Sequence, residues 1–279
     1  MIGISGYRVW KKVVSVMLVV LVGVGLVWQG ARLLADSPVT DTFTDSAKIA
    51  STENLTVDTA NGQVKLALEV DFTCGNAWTD TRDSKEYTTV LIGDQCWMAE
   101  NMNVGTLTAG ANNQGSSCPS VAEIEKYCYS DNEANCATYG GLYQWDQAMC
   151  GSTTAGAQGL CPVGWHIPTH DELTTLERTV CESETCETDF PFDTTTTEYR
   201  GTNEGTLLKT GGSSGFEGLL AGYRGANGSF YDVGSYGFFW SSVQSSASAW
   251  RRGLSSGEGR VRRNTVGKLH GFSVRCLKD

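Results

Sequence analysis

The sequence predicts a loop-rich, disulfide-bonded α+β domain behind an N-terminal transmembrane helix. Three observations support this class. All ten cysteines follow an apolar N-terminal segment, glycine occurs 33 times, and short strand-like runs outnumber helical ones. Cysteines confined to an exported part are typical of disulfides in an oxidising compartment, and frequent glycine is typical of turns. We therefore expect an exported globular domain rather than a disordered chain.

The N-terminal segment predicts the membrane tether. Arg8, Lys11 and Lys12 precede an uncharged run of 19 residues, 13–31, which as a helix is long enough to cross a bilayer. The positive flank favours the cytoplasm, so the C-terminal part is expected at the cell surface. A cleaved signal peptide, which would leave the chain secreted, is the alternative, but the residues before Ala35 lack the small-residue cleavage pattern.

Three segments are expected along the chain. Residues 1–35 form a cytoplasmic tip and the anchor or signal segment, and residues 36–73 form a polar, threonine-rich stalk with short strands. Alternating polar and apolar residues over 63–70 predict one of these strands. Residues 74–279 form the exported domain.

Within the domain, short β-type runs alternate with loops rich in glycine, asparagine and serine. Residues 87–92 and the aromatic run 236–240 predict strands. The clearest helix begins after Thr169, which with Glu172 has the spacing of a capping box. Two weaker helical patterns lie upstream of it, the second over 139–147.

The ten cysteines predict disulfides rather than a zinc site. No C-x-x-C pair occurs, and the three histidines stand far from the spacing of zinc ligands. The connectivity cannot be deduced from the sequence. Short loops suggest the pairs Cys128–Cys136, Cys150–Cys161 and Cys181–Cys186.

The charge is distributed unevenly along the chain. The net charge is −10, yet residues 250–279 carry eight basic and two acidic side chains, a net of +6, which leaves −16 for the rest. This asymmetry predicts a basic face on an acidic body. The alternative is that these arginines pair with acids of the same domain.

Six motifs follow one another in the domain. They are DTRDSKEYTTVLIGDQCWMAENMN (80–103), YGGLYQW (139–145), CPVGWHIPTHDEL (161–173), LLAGYR (219–224), FWSS (239–242) and GFSVRC (271–276). Together they resemble the Fibrobacter succinogenes major paralogous domain, an exported domain of bacterial surface proteins, over residues 74–279. The resemblance implies a C-type lectin-like fold, in which the termini lie close together and long loops build a binding face. The formylglycine-generating enzymes share that fold.

The C-terminal end is also similar to the variable end of proteins diversified by retroelements. In such proteins, adenine mutation of asparagine codons yields Gly, Ser, Arg, Val, Leu or His. Seven residues fit this set: Gly253, Ser255, Arg260, Arg262, Val266, Leu269 and His270. Glu258 departs from it unless its codon began as lysine. The resemblance implies a hypervariable ligand-binding face.

The first functional hypothesis is a cell-surface ligand-binding module with its binding face in the C-terminal half. The expected ligand-binding residues are Tyr236, Trp250, Arg251, Arg252, Gly253, Ser255, Glu258, Arg260, Arg262, Arg263, Val266, Leu269 and His270. Trp250 is expected to be exposed, whereas Trp97, Trp145, Trp165 and Trp240 are expected in the core. The basic face favours an extracellular protein or an anionic glycan as partner, and the acidic body disfavours nucleic acid.

Two alternatives stay open: a structural surface or adhesion domain without a dedicated ligand, and an oxidase related to the formylglycine-generating enzymes. We expect no catalysis, because every cysteine can be used in a disulfide and His166 has no nucleophile paired with it by a motif. We expect no cofactor. Calcium as a structural ion is an alternative for the acids between Asp80 and Glu172, although they lack EF-hand spacing.

Overall fold

The computed structural model of the chain describes residues 6–8, 13–22, 25–34, 55–58, 65–68 and 72–279. These residues belong to two compact units, Met1–Asp71 and Phe72–Asp279. The first unit contains an antiparallel sheet of β1 (Gly6–Arg8), β2 (Val13–Val22) and β3 (Gly25–Leu34). It also contains an antiparallel pair of β4 (Leu55–Asp58) and β5 (Lys65–Leu68).

The described residues of the apolar run 13–31 form strands where the sequence predicts a transmembrane helix. Six of the ten residues of β2 are valine, and β-branched side chains favour a strand over a helix. Among the described residues, no helix is both long and apolar enough to cross a membrane. Most of the predicted stalk, 36–73, lies outside the described residues, but β5 coincides with the strand predicted over 63–70.

The second unit is rich in short strands. They are β6 (Trp78–Asp80), β7 (Lys85–Tyr87), β8 (Thr89–Ile92), β9 (Gln95–Met98), β10 (Thr106–Leu107), β11 (Glu125–Lys126), β12 (Trp165–His166), β13 (Glu198–Arg200), β14 (Ala221–Arg224), β15 (Phe230–Val233), β16 (Tyr236–Ser245), β17 (Ser248–Ser255), β18 (Glu258–Gly267) and β19 (Leu277–Lys278). The helices are α1 (Glu133–Tyr139), α2 (Trp145–Ala148), α3 (His170–Val180), α4 (Cys186–Asp189) and α5 (Glu204–Leu208), with 3₁₀ turns at Val121–Glu123 and Tyr129–Asp131. The strands predicted at 87–92 and 236–240 are thus present.

Two sheets organise this unit. The main sheet has six strands in the order β13-β18-β17-β16-β14-β15, and β16, β17 and β18 form an antiparallel meander with tight turns. The smaller sheet has the order β12-β19-β9-β8, so β19 lies between two strands that come much earlier in the sequence. The domain is therefore a mixed α/β, sheet-rich structure.

Helix α3 begins where the capping-box motif predicts. The Thr169 hydroxyl accepts a hydrogen bond from the Glu172 amide, and the Glu172 carboxylate accepts one from the Thr169 amide. One face of α3 buries Leu173 and Leu176 in a cluster that includes Phe239. Of the predicted helical region 139–147, Tyr139 is the last residue of α1 and residues from Trp145 belong to α2.

Apolar side chains pack against both faces of the main sheet. Strand β16 shows this directly, because Phe238 and Trp240 belong to one buried cluster and Phe239 belongs to another. Alternate strand residues point to opposite faces, so this division follows from the strand period. Trp97, Trp145, Trp165 and Trp240 are all fully buried, which confirms the core prediction for these four tryptophans.

Five disulfides join all ten cysteines: Cys74–Cys96, Cys118–Cys150, Cys128–Cys136, Cys161–Cys276 and Cys181–Cys186. The two shortest suggested loops, closed by Cys128–Cys136 and by Cys181–Cys186, are present. The suggested pair Cys150–Cys161 is wrong, because Cys161 pairs across 115 residues with Cys276 beside the closing strand. Spatial proximity of β12 and β19 decides this bridge, and loop length does not show it.

Candidate functional site

An open cavity of about 330 Å³ lies on the main sheet. Its walls are mainly aromatic, formed by Tyr223, Tyr236, Phe238, His270 and Phe272, with Val266 beside them. Its charged residues are Asp232, Arg251 and Arg262. We call this site the Arg251 cavity. Its size lies at the lower end of the range of small-ligand pockets.

Strand register brings these side chains together. Phe238 on β16 lies opposite Gly253 on β17, which in turn lies opposite Arg262 on β18. Gly253 leaves this row open, because a Cβ atom there would lie 3.0 Å from both the Arg251 Nη1 atom and the Phe238 ring. The absence of a side chain at Gly253 therefore makes room for the Arg251 guanidinium group.

Arg251 is the central feature of the cavity. Its residue surface is 6% exposed, and its guanidinium carbon lies 3.9 Å from the centre of the Phe238 ring and 5.2 Å from that of Phe272. Its Nε and Nη1 atoms are buried and have no hydrogen-bond partner among the described residues. Burial, and secondarily the charge of Arg262, lowers the pKa of Arg251 to about 9. The group therefore stays cationic at neutral pH.

The buried charge of Arg251 is energetically costly without an anion. Buried guanidinium groups are normally paired with a carboxylate or bonded to several carbonyls. Contact with two aromatic faces offsets part of the desolvation, since the ring face is the negative end of its quadrupole. The two unpartnered nitrogens carry three N–H donors, and an oxyanion that enters the cavity would accept hydrogen bonds from this group.

Arg262 is in a different electrostatic state from Arg251. Its side chain is 33% exposed, and its Nη2 atom lies 3.6 Å from the Glu198 carboxylate. Its guanidinium carbon also lies 5.6 Å from the centre of the Tyr199 ring. Arg262 therefore forms a wall of the cavity and an ion pair with the exposed Glu198, while its buried Nε has no hydrogen-bond partner among the described residues.

The rim carries exposed apolar and polar groups. Tyr231 is 37% exposed and stacks on Tyr223 with ring centres 5.3 Å apart. Leu269 is 52% exposed and precedes His270 in the chain. Burial, and after it the negative charge of Asp232, raises the pKa of Tyr223. The Tyr223 ring thus lies between the apolar floor of the cavity and a rim that carries hydroxyl and carboxylate groups.

The structure brings five of the thirteen predicted ligand-binding residues into the cavity: Tyr236, Arg251, Arg262, Val266 and His270. Leu269 lies next to it in sequence and is exposed. Arg260 lies outside the lining residues and donates to the Glu258 carboxylate at 2.6 Å. These two residues form a local surface pair.

Trp250, Arg252 and Arg263, also predicted as ligand-binding residues, lie outside the cavity and are buried against α3, and the expected exposure of Trp250 is wrong. Trp250 is 3% exposed, and its ring centre lies 4.4 Å from that of His170. The Arg252 Nε atom donates to Glu177 at 2.5 Å, and Arg263 Nη2 lies 2.7 Å from His170 Nε2. Strand alternation turns these residues away from the cavity.

Two small residues of the predicted face are also buried. Ser255 is 6% exposed, and its carbonyl oxygen accepts a hydrogen bond from Lys209 at 2.7 Å. Gly253 is buried beneath Arg251 and Phe238. Gly253 therefore shapes the cavity by leaving space for Arg251. Ser255 lies at the β17–β18 turn, where its carbonyl oxygen binds Lys209.

Four cavity residues are absent from the predicted ligand-binding set: Tyr223, Asp232, Phe238 and Phe272. Tyr223 and Phe272 belong to the motifs LLAGYR and GFSVRC, in which aromatic residues are expected to be structural. The period of two within the aromatic run of β16 places Phe238 on the Tyr236 face. Which face bears the cavity depends on β14 and on the segment before β19, and these are distant in sequence.

His166 and the acids show no metal site. Among the described residues, no three histidine, cysteine or acidic side chains come together with the geometry to hold a metal ion. The two nitrogens of His166 lie 2.7 Å from the Asp279 carboxylate and 3.0 Å from the Glu172 carboxylate. His166 thus links the end of the chain to the first turn of α3.

The comparisons with known proteins identify a family. The model of the Fibrobacter succinogenes major domain matches residues 90–278. A search of curated proteins and a search of solved structures each find no match. The family match starts after the first part of the 80–103 motif and covers the rest of the domain, including every residue of the Arg251 cavity. The chain therefore belongs to the Fibrobacter succinogenes major domain family.

Proposed function

We propose that this protein is a cell-surface binding module that captures an anionic ligand in the Arg251 cavity. The observation that carries the proposal is the buried Arg251 guanidinium group at an open cavity, near two aromatic rings, with two nitrogens that have no hydrogen-bond partner among the described residues. Such an arrangement costs free energy in the empty domain. A ligand that supplies an oxyanion would recover that free energy as affinity.

The remaining wall of the cavity supports binding rather than a purely structural role. Phe238, Phe272 and Tyr236 offer apolar contact, and the exposed Tyr231 extends this surface at the rim. Binding sites for small ligands commonly combine apolar walls with a few placed polar groups. A structural spacer domain gains nothing from an unpaired buried charge, so this alternative leaves Arg251 unexplained.

An oxidase is less well supported than a binding module. All ten cysteines are joined in disulfides, so thiol chemistry would first require reduction of one of them. Cys276, which follows the basic Arg275, is fully buried and bonded to Cys161. We therefore propose binding without catalysis and without a cofactor.

The test is a binding measurement on the full chain with a matched pair of variants. Arg251→Met removes the buried charge but keeps an unbranched side chain over Phe238. Arg260→Met removes one arginine charge from the neighbouring strand outside the cavity. Both proteins are screened against immobilised anionic glycans and acidic proteins. We expect Arg251→Met to lose binding at least tenfold and Arg260→Met to bind like the wild type.

Equal binding by Arg251→Met and the wild type would contradict the proposal. Equal losses in both variants would show that a diffuse basic face, and not the cavity, recognises the ligand. Raising the salt concentration should weaken wild-type binding less than it would for a set of exposed charge pairs, because a buried pair is screened little.

Display outside the cell is part of the same proposal. Five disulfides are typical of an oxidising compartment. The uncharged run 13–31 after basic residues is typical of a segment that directs export and anchors the chain. Membrane fractions washed at alkaline pH should retain the full chain and release a variant that lacks 13–31. Release of both forms would argue for a secreted protein.

We also propose that the domain is a C-type lectin-like variant whose binding face is diversified. Arg260, Arg262 and Val266 occupy alternate positions of β18, and two of them line the cavity. His270 also lines the cavity, and it too belongs to the residues that adenine mutation of an asparagine codon can yield. Sequencing of codons 236–279 across a natural population, with codons 80–180 as control, tests this. Replacements at these positions above a quiet control support diversification, and an evenly quiet gene contradicts it.

A further inference from the structure

We propose that the ligand of the Arg251 cavity is a carboxylated sugar ring, such as a hexuronic acid residue of a glycan. This inference rests on the proposed function and narrows its ligand to one chemical class. It follows from the number of uncompensated charges in the cavity, from the shape of the donor group and from the chemistry of the walls.

The cavity offers one uncompensated positive charge. Among the described residues, Arg251 has two buried nitrogens without a hydrogen-bond partner and forms no ion pair. Arg262 also has a buried nitrogen without a partner, Nε, but it forms an ion pair with Glu198 at 3.6 Å. Asp232 adds a negative charge to the lining. Asp232 is exposed and forms no ion pair with Arg251 among the described residues. A monoanion would therefore pair with the buried charge of Arg251, while a dianion such as a phosphate monoester would place a second negative charge beside Asp232.

The donor group favours a carboxylate. A guanidinium group presents parallel N–H donors in a plane, and a carboxylate accepts them in the same plane with two oxygens. The Arg251 guanidinium carbon lies 3.9 Å from the centre of the Phe238 ring, which restricts its orientation. A carboxylate matches either donor edge of the guanidinium group, Nε with Nη2 or Nη1 with Nη2, and each edge includes one of the unpartnered nitrogens.

The walls favour a ring that carries hydroxyl groups. Aromatic side chains form most of the lining, and their faces provide contact area for the C–H face of a pyranose ring. Asp232 at the cavity and the tyrosine hydroxyl groups of the lining offer acceptors and donors for sugar hydroxyls. A fatty acid would satisfy the aromatic faces but would leave these polar groups without partners.

An acidic peptide fits the site less well. A polyanion would approach a body that carries −16 outside its last thirty residues, and like charges oppose such an encounter. A cavity of about 330 Å³ admits one ring-sized group rather than a run of acidic side chains. The charge distribution therefore favours a ligand with one carboxylate on a largely neutral framework.

The experiment compares small probes on the full chain by titration calorimetry or ligand-observed NMR. The probes are glucuronic acid, its methyl ester, glucose, acetate, inorganic phosphate and a glutamate-rich peptide. We expect glucuronic acid to bind at least tenfold more tightly than each of the others. Arg251→Met should abolish this preference over glucose and over the ester, whereas Arg260→Met should retain it.

A second variant tests the ring separately from the charge. Tyr231→Ala removes the exposed ring that stacks on Tyr223 at the rim. We expect it to weaken glucuronic acid binding several-fold and to leave any residual acetate binding unchanged.

The outcomes separate the two proposals. If acetate, phosphate or the peptide binds as tightly as glucuronic acid, and does so through Arg251, the sugar inference is overturned and anion capture stands. If glucose binds as tightly as glucuronic acid, the carboxylate is not recognised and the inference is overturned. If no probe and no anionic glycan or protein binds through Arg251, both proposals fail together.

Discussion

Arg251 and Arg252 are neighbours on β17, yet they lie on opposite faces of the main sheet in opposite electrostatic states. Arg252 is buried against α3 and donates to the Glu177 carboxylate at 2.5 Å. Arg251 is buried against Phe238 and has two nitrogens without a partner among the described residues. One arginine therefore belongs to the core of the domain, and the other belongs to its candidate site.

This difference predicts opposite effects on stability. Arg252→Met should lower the free energy of unfolding by about 3 kcal/mol, because it leaves the buried Glu177 carboxylate without its closest partner. Arg251→Met should raise it by about 1 kcal/mol, because it removes a buried charge that has no counterion. Urea unfolding of both variants at pH 7 measures the two values. A loss of stability in Arg251→Met would contradict the assignment of Arg251 to a binding role.

The binding of an anion should depend on pH at the alkaline end. Burial, with the nearby Arg262, lowers the pKa of Arg251 to about 9, and the anion requires the protonated form. Affinity should therefore be constant from pH 6 to 8 and fall by up to about tenfold per pH unit above pH 9. Titrations at pH 7, 9 and 10 check this. Unchanged affinity at pH 10 would show that Arg251 keeps its ordinary pKa or does not contact the ligand.

The disulfides should differ in how much they stabilise the domain. Cys161–Cys276 closes a loop across 115 residues and Cys181–Cys186 one across five. In the chain-entropy model these bridges stabilise by about 5 and about 2 kcal/mol. Paired alanine variants compared by thermal unfolding should follow that order. Equal losses of stability would indicate that removing the long-range disulfide does not increase the conformational entropy of the unfolded chain as the model expects.

The contacts of His166 with Glu172 and Asp279 predict a contribution to the stability of the domain that depends on pH. Hydrogen bonds to Glu172 and, after the opposing effect of burial, to Asp279 raise the pKa of His166. A histidine with a raised folded pKa contributes full stability below its unfolded pKa of about 6.5 and loses it as the pH rises through the folded value. Although burial raises the pKa of Glu172, bonds from His166 and Thr169 lower it overall, so Glu172 stays charged in the acidic part of this window.

The measurement is the stability difference between the wild type and His166→Gln across pH 5 to 9. We expect the difference to be largest near pH 5.5 and to shrink as His166 loses its proton. Asp279→Asn, which keeps Glu172 in place, should show the same trend with a smaller amplitude. A difference that is constant over this range would mean that His166 acts only through packing.

Local patterns allowed parts of the fold to be predicted from the sequence. The capping box at Thr169 placed the start of α3, because its hydrogen bonds join residues three apart. The aromatic run 236–240 predicted a strand because the preference of aromatic residues for strands is also a local property of the sequence. The pair Cys150–Cys161 failed because a disulfide requires two sulfur atoms to meet in space.

The candidate site was predictable only in part. The predicted C-terminal face included Arg251 and Arg262, which line the cavity, but it also included Arg252, Arg263 and Trp250, which are buried against α3. Composition does not distinguish two neighbouring arginines. The partners Glu177 and Phe238 make that distinction, and they come from distant parts of the chain.

The sequence by itself determined the family, the presence of disulfides and the position of the main helix. Those properties reside in ordered motifs, cysteine content and short-range hydrogen bonds. The tertiary structure decided which arginine is paired and which is left at a cavity. The physical reason is that burial and pairing of a charge depend on which strands and helices lie against it, and β17 meets α3 on one face and the aromatic residues Phe238 and Phe272 on the other.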